Sequence, residues 1–365
     1  MHSKCLSAKL LPLIILFIIS ACGQKEDSKT ILVKEFPQEI SIEGEQIDFD
    51  SIPLCPSDLM VKDSLLIKKR WGRVCDDYLF YVYNVNTWEL LGAFGTEGRG
   101  PNEFLYPITN FQFENNESSV NLWVNDLHQN RIQLMNINES LEKNNPVFDN
   151  SIANIEKIPD MIDVIVLPDG NIAGRSLAPL GRMFYYDKMR DSVKWMEYFP
   201  KVEQWPPDHM LVNLYNGPTG IKPDNSRIVS ALRYFKRIDV FSPETEHLFS
   251  IVFDDSPDNP EYYTNPDNPT PNTLAYYFTL MHLSDNYIYV FNKNISHDNV
   301  SLNETPELYV FTWEGEPVIS YSLDRRFSSF SVDEDNGYLY ALIPPDTEEI
   351  TSQVFRYHID EIRNR

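Results

Sequence analysis

Short apolar runs alternate with polar gaps along almost the whole chain, and within most runs large and polar side chains alternate singly. That period of two predicts strands with one buried face; no long stretch keeps the 3.6-residue period of a helix. Several runs pair as hairpins: Leu79–Tyr83 with Leu90–Phe94, Met183–Tyr186 with Trp195–Phe199, Ile238–Phe241 with Phe249–Phe253, and Leu308–Phe311 with Val318–Tyr321. Arg131–Met135 and Val354–Tyr357 begin in the same way. Each is preceded by a further strand: Leu65–Ile67, Asn121–Val124, Asn171–Ala173, Arg227–Val229, Tyr287–Val290 and Tyr338–Ala341. Asp169-Gly170, Asp224-Asn225, Asp285-Asn286 and Asn336-Gly337 mark tight turns, because these residues tolerate positive φ.

Aligning Phe80, Ile132, Phe184, Ile238, Leu308 and Phe355 gives spacings of 52, 52, 54, 70 and 47 residues. Six strand-and-turn units of this kind predict an all-β fold, a six-bladed β-propeller of four-stranded antiparallel blades. A single blade cannot bury both of its faces, so the units must stack around a ring. A β-sandwich would supply a similar strand count but no such period. Only ten residues follow Phe355, too few for a complete last hairpin, so the strand-like Thr30–Phe36 is expected to supply the sixth blade's outer strand.

The 70-residue spacing holds residues 254–272, rich in Pro, Asp and Asn, which predict a long loop on one face of the ring. Tyr262 and Tyr263 within it are amphipathic side chains of the kind enriched at interfaces, and are candidate partner-binding residues. The bland reading is that they pin the loop to the ring.

Residues 95–107 read Gly95-Thr96-Glu97-Gly98-Arg99-Gly100-Pro101-Asn102-Glu103-Phe104-Leu105-Tyr106-Pro107. This resembles the blade connector of NHL-type six-bladed propellers, G-x-x-G-x-G-P-x-x-F-x-x-P. Asp126, Arg131, Ile132 and Gln133 match the same repeat's D-x-x-N-x-R-I-Q, with Gln129 where the pattern has Asn. The glycines let the chain leave one blade through unusual dihedrals, and Phe104 and Pro107 anchor its arrival at the next. Asp126 and Arg131 read as a brace of the turn. A phosphate loop is a poor reading, since no GK[ST] follows and Pro101 does not open a helix.

The first residues read as an address. Lys4 and Lys9 precede an apolar run from Leu10 to Ile19, too short for a bilayer span of about 20 residues but of signal-peptide length. Ile19-Ser20-Ala21-Cys22 resembles the bacterial lipobox, which makes Cys22 the expected lipidation site. The acidic Gly23–Asp27 stretch resembles the surface-export signal of Bacteroidetes lipoproteins, or is simply a solvated tether. The expected organisation is a signal peptide over 1–22, a flexible tether over 23–29 and a propeller over 30–365. The whole plan is similar to the TolB-like or NHL-like six-bladed propeller lipoproteins of Bacteroidetes. That resemblance implies a lipid-anchored location in the cell envelope, at the outer membrane and open to surface exposure; it does not imply a ligand.

The formal charge is −23, and removal of residues 1–22 takes away two lysines and no acid, leaving −25. Such a field repels a duplex, so nucleic acid is not an expected partner. Cys55 and Cys75, the cysteines left after Cys5 and Cys22, are compatible with a disulfide or with two separate thiols.

The remaining six histidines form no HExxH or HxH, and no GxSxG elbow occurs. Asp254, Asp255 and Asp258 lack the spacing and glycine of an EF-hand. No metal ligand, cofactor or catalytic residue is therefore assigned. Asn110, Asp163, Arg175 and Arg233 are candidate channel-lining residues, because they fall at or near predicted inner strands. The expected function is binding or scaffolding of an unidentified protein or glycan, with the membrane contacted through the N-terminal lipid. The alternative is a metal-dependent hydrolase or lyase with its site in the channel.

Overall fold

The computed structural model describes residues 29–48, 57–71, 77–116, 119–153, 155–200, 208–254, 275–296, 305–344 and 352–359. Cys22, Cys55, Cys75, Tyr262 and Tyr263 lie outside them. The strands form six small sheets arranged as a six-bladed β-propeller. Blade one is Ser57–Lys62, Leu65–Arg70, Phe80–Asn84 and Leu90–Phe94. Blade two has an interrupted inner strand, Pro107–Ile108 and Phe113–Asn116, followed by Ser119–Asp126, Arg131–Asn136 and Phe148–Ala153. Blade three is Met161–Val166, Ile172–Ser176, Met183–Asp187 and Ser192–Met196. Blade four is Thr219–Ile221, Ile228–Ala231, Arg237–Phe241 and His247–Phe253. Blade five is Ala275–Leu283, Tyr287–Ser296, Glu307–Thr312 and Pro317–Leu323. Blade six is Ser329–Asp333, Tyr338–Ile343 and Gln353–His358. All six residues aligned by their spacing fall in the third strand of a blade.

Each pair of neighbouring blades shares its own apolar cluster. Ile67, Phe80 and Leu122 join blades one and two, Trp123, Leu134 and Val164 blades two and three, and Ile165, Met183 and Ile228 blades three and four. Val240, Ile251 and Val290 join blades four and five, Tyr289, Phe330 and Leu339 blades five and six, and Leu59, Tyr83 and Tyr340 blades six and one. The core is thus a closed series of six interfaces, which is why the period in the sequence predicts the fold.

The N-terminal segment corrects one expectation. Lys29–Val33 pairs parallel with blade four's outer strand, as a fifth strand, and not with blade six. It begins at the last residue assigned to the tether. Glu39–Ile42 then adds a fifth, parallel strand to blade five, and Glu45–Ile47 pairs antiparallel with Gln353–His358 as the fourth strand of blade six. Blades four and five are therefore five-stranded. Two contacts explain the register. The Phe36 ring stacks on Tyr309 at 4.9 Å and approaches Phe253 at 6.2 Å, wedging the end of the first stretch between blades four and five. A Cβ at Gly44 would lie 2.5 Å from the Tyr357 ring, so only glycine lets the chain pass that buried tyrosine into blade six.

The glycine-rich connector is braced from several sides. Gly95 has φ of +75°, and a Cβ at Gly98 would lie 1.9 Å from the Glu103 carboxylate. The Asp126 carboxylate accepts from the amides of Leu105 at 2.7 Å and Tyr106 at 3.2 Å, and from those of His128 and Gln129. Arg131 donates to the carbonyls of Pro101 at 2.9 Å and Glu103 at 2.5 Å. Gln129, in place of the repeat's Asn, reaches the carbonyls of Gly98 and Glu103 at 2.7 and 3.0 Å. Asp126 and Arg131 thus brace the connector separately; among the described residues no bond joins their side chains.

Candidate functional site

In each blade the inner strand has one ladder neighbour, and its other edge faces the next blade across the channel wall. The backbone groups on that edge need partners, since orphaned polar groups in a wall are costly. Side chains supply them. The amides of Leu59 and Val61 in blade one donate to Ser329 Oγ and Ser331 Oγ of blade six, both at 2.9 Å. The Gln112 carboxamide donates to the Val166 carbonyl at 2.6 Å and accepts from the Val166 amide at 3.0 Å, imitating a ladder between blades two and three. Asn110 donates to the Val164 carbonyl at 3.0 Å.

These strands enclose a central cavity of about 610 Å³, of the size that holds a small ligand. At one end its wall includes the turn residues Asp63, Asn225, Asp285 and Asp335. Towards the other end it includes Asp58, Asn110 and Asp163. Both carboxylates there are compensated. Asp58 pairs with Lys69 at 2.6 Å, and Lys69 also donates to the Pro107 carbonyl. Asp163 pairs with Arg175 at 2.5 Å, and Arg175 also donates to Asn216 Oδ1 at 3.0 Å. Of the four channel candidates, Asn110 and Asp163 line the cavity and Arg175 reaches it through Asp163. Arg233 follows blade four's second strand at the same end of the ring and is not part of the cavity wall.

Ser329, Ser331, Gln112 and His282 were not singled out by the sequence reading. The inner strand Ser329-Phe330-Ser331-Val332-Asp333 does carry a signal, polar residues at alternate positions in the first strand of a unit. His282 lies half-buried in blade five's inner strand, walled by the rings of Tyr289 at 6.0 Å and Phe330 at 6.4 Å, with Nδ1 3.5 Å from Ser331 Oγ. Desolvation lowers its pKa to about 4, so the imidazole is neutral near pH 7. Among the described residues no group of three or more His, Cys, Asp or Glu side chains could hold a metal ion.

A buried network outside the channel ties blade three to blade four. Arg182 meets Asp239 at 2.5 Å with both side chains almost fully buried, and Asp239 also accepts from Arg237 at 2.7 Å and from Ser250 Oγ at 2.6 Å. Burial opposes ionisation of Asp239, but the two guanidinium groups and these hydrogen bonds outweigh it and hold the carboxyl far below the usual range. This is a structural lock, with no open side for a substrate.

No helix among the described residues is long and apolar enough to cross a membrane. No curated protein matches the chain. Among solved structures, the chain is similar to a Bacteroides fragilis protein inferred to be exported, at 12% identity and a TM-score of 0.53, with 91% of this chain and 99% of the other covered. It is also similar to a member of the DUF4221 family from Bacteroides vulgatus, at 10% identity and a TM-score of 0.52, with 87% and 98% covered. At such identities these likenesses carry the fold alone. The model of the family described as TolB-like 6-blade propeller-like matches residues 36–335, nearly the whole ring, and the chain belongs to that family.

Proposed function

We propose that this protein is a lipid-anchored propeller of the cell envelope that binds a partner or small ligand without converting it. The observation that carries the reading is the state of the channel. It is a preformed cavity of about 610 Å³ whose two deep carboxylates, Asp58 and Asp163, are already held by Lys69 and Arg175. A carboxylate committed to an ion pair is a poor general base, whereas a wall of satisfied polar groups suits recognition. The lipobox-like context of Cys22 supports the location. Tyr262 and Tyr263 belong to this reading as contacts on the connection between blades four and five.

The test is capture from native envelope extract by the mature protein, with Tyr262→Ala/Tyr263→Ala as the comparison. Specific capture that the double variant weakens supports binding through that connection. Chelator-sensitive turnover of a lactone or ester by the purified protein would replace the binding reading with the enzymatic one. Labelling with a fatty-acid probe, lost in Cys22→Ala, tests the anchor separately.

A further inference from the structure

The central cavity has a neighbour. A second cavity, of about 700 Å³, lies between blades two and three and reaches blade two's outer strand at Asn150, Ser151 and Ile152. Gln112, Phe113, Pro223 and Asn225 line both cavities, so the two adjoin. Each alone has the size of a small-ligand site, and together they suit a ligand longer than one such unit.

The wall of the second cavity sets aromatic rings beside unengaged polar groups. Trp123 is only 7% exposed and lines it, with the half-buried rings of Phe113 and Tyr186. An indole N–H can only donate, and among the described residues that of Trp123 meets no acceptor. Such a group is costly to leave unpaired in a largely buried place, and a molecule in the cavity can supply the acceptor. Glu114 and Glu156 are exposed in the same wall, and neither makes a hydrogen bond or ion pair among the described residues. Asp191, by contrast, is engaged: it pairs with Lys157 at 2.5 Å and accepts from the Tyr186 hydroxyl at 3.0 Å, which holds that ring in place. The backbone where the cavities meet is engaged as well. The Gln112 carboxamide occupies both the amide and the carbonyl of Val166, and the Gln112 carbonyl accepts from the Trp123 amide at 3.0 Å. An extended peptide that binds by adding to a free strand edge finds none there. Unused side-chain donors and acceptors beside aromatic rings suit a ligand whose hydroxyls both donate and accept and whose C–H faces lie against rings.

We infer that the adjoining cavities bind an uncharged oligosaccharide, with one sugar unit between blades two and three against Trp123 and Tyr186 and the chain continuing towards the channel. The free carboxylates of Glu114 and Glu156, in a chain of formal charge −23, repel an anionic sugar and leave the neutral class. The site extends the recognition role proposed above, on which it rests, by giving that role a ligand class.

The experiment is binding of the full mature protein to an array of neutral oligosaccharides, followed by titration calorimetry with each bound oligosaccharide, its component monosaccharide and hexa-alanine, alongside Trp123→Phe and Glu114→Gln/Glu156→Gln. The wild type is expected to bind an oligosaccharide and to bind its monosaccharide more weakly. Each variant is expected to bind the oligosaccharide about tenfold more weakly, the factor that one lost hydrogen bond supplies. Because Glu114 and Glu156 are exposed, their double variant should melt with the wild type, so it tests the site even where Trp123→Phe disturbs packing. No binding anywhere on the array, a double variant that binds as the wild type does, a monosaccharide bound as tightly as the oligosaccharide, or hexa-alanine binding that the variants lose each overturns the site. Partner capture from envelope extract by a protein that fails these tests would leave the recognition role standing, so the two proposals fail separately.

Discussion

Blades one to three and blades four to six are built from the same meander but end differently. Each of the first three completes itself with its own fourth strand. The last three are wrapped by a belt, Lys29–Val33, Glu39–Ile42 and Glu45–Ile47, laid in order along their outer edges. Only in blade six does the belt fill a gap; in blades four and five it covers an edge already complete. One segment thus does two things: it closes the ring, and it shields two outer edges that would otherwise offer unpaired backbone groups. The proposed anchor leads into the belted half.

Deletion separates these roles and carries the largest expected effect. Removing residues 29–48 leaves blade six with three strands, and the ring is expected to lose its cooperative melting transition. Removing 29–36 alone strips a fifth strand and the Phe36 wedge, and is expected to cost about 3–5 kcal/mol, the range of a large aromatic truncation, while cooperative melting survives. Calorimetric melts of the two truncations check this; equal losses would contradict the division of roles.

The unbelted half is expected to depend on its connector. Asp126→Ala removes the carboxylate that accepts four backbone amides, at an expected cost of about 2–3 kcal/mol by urea denaturation. Loss of under about 0.5 kcal/mol, the range of an ordinary surface substitution, would show that Arg131 and Gln129 hold the connector without it.

A smaller effect distinguishes the belted half by pH. Burial lowers the His282 pKa from 6.5 to about 4, so the unfolded chain takes up a proton that the folded ring refuses. The residue's contribution to stability is complete above pH 6.5 and is lost as the pH falls to about 4. Thermal melts between pH 7 and 4 should show this decline in the wild type and a flatter profile in His282→Gln. Parallel profiles would place the acid sensitivity elsewhere.

The ring was legible in the sequence because its determinants repeat. Phe80, Ile132, Phe184, Ile238, Leu308 and Phe355 each pack between blades, so each unit had to repeat the same alternation. Connector residues such as Gly98 and Asp126 were legible because a close approach and a four-amide cap restrict the choice of side chain. The partner of Thr30–Phe36 was not legible. Pairing at an outer edge is made by backbone groups common to every sequence, and the features that decide it, the Phe36 wedge and the Gly44–Tyr357 fit, exist only once distant blades are assembled. The channel wall was hidden for the same reason. Ser331 and Val61 are 270 residues apart, and closure of the ring alone brings them together.

The claim that Glu45–Ile47 closes the ring is tested most directly by residue-resolved hydrogen exchange on the mature protein and on Gly44→Val. In the wild type, amides in 45–47 and 354–356 should be protected together. In Gly44→Val, where the new side chain collides with Tyr357, both sets should exchange faster while blade two's Leu122–Val124 stay protected. Wild-type amides in 45–47 exchanging at the rate of an unstructured chain, or protection there unchanged by the substitution, would contradict closure through this strand.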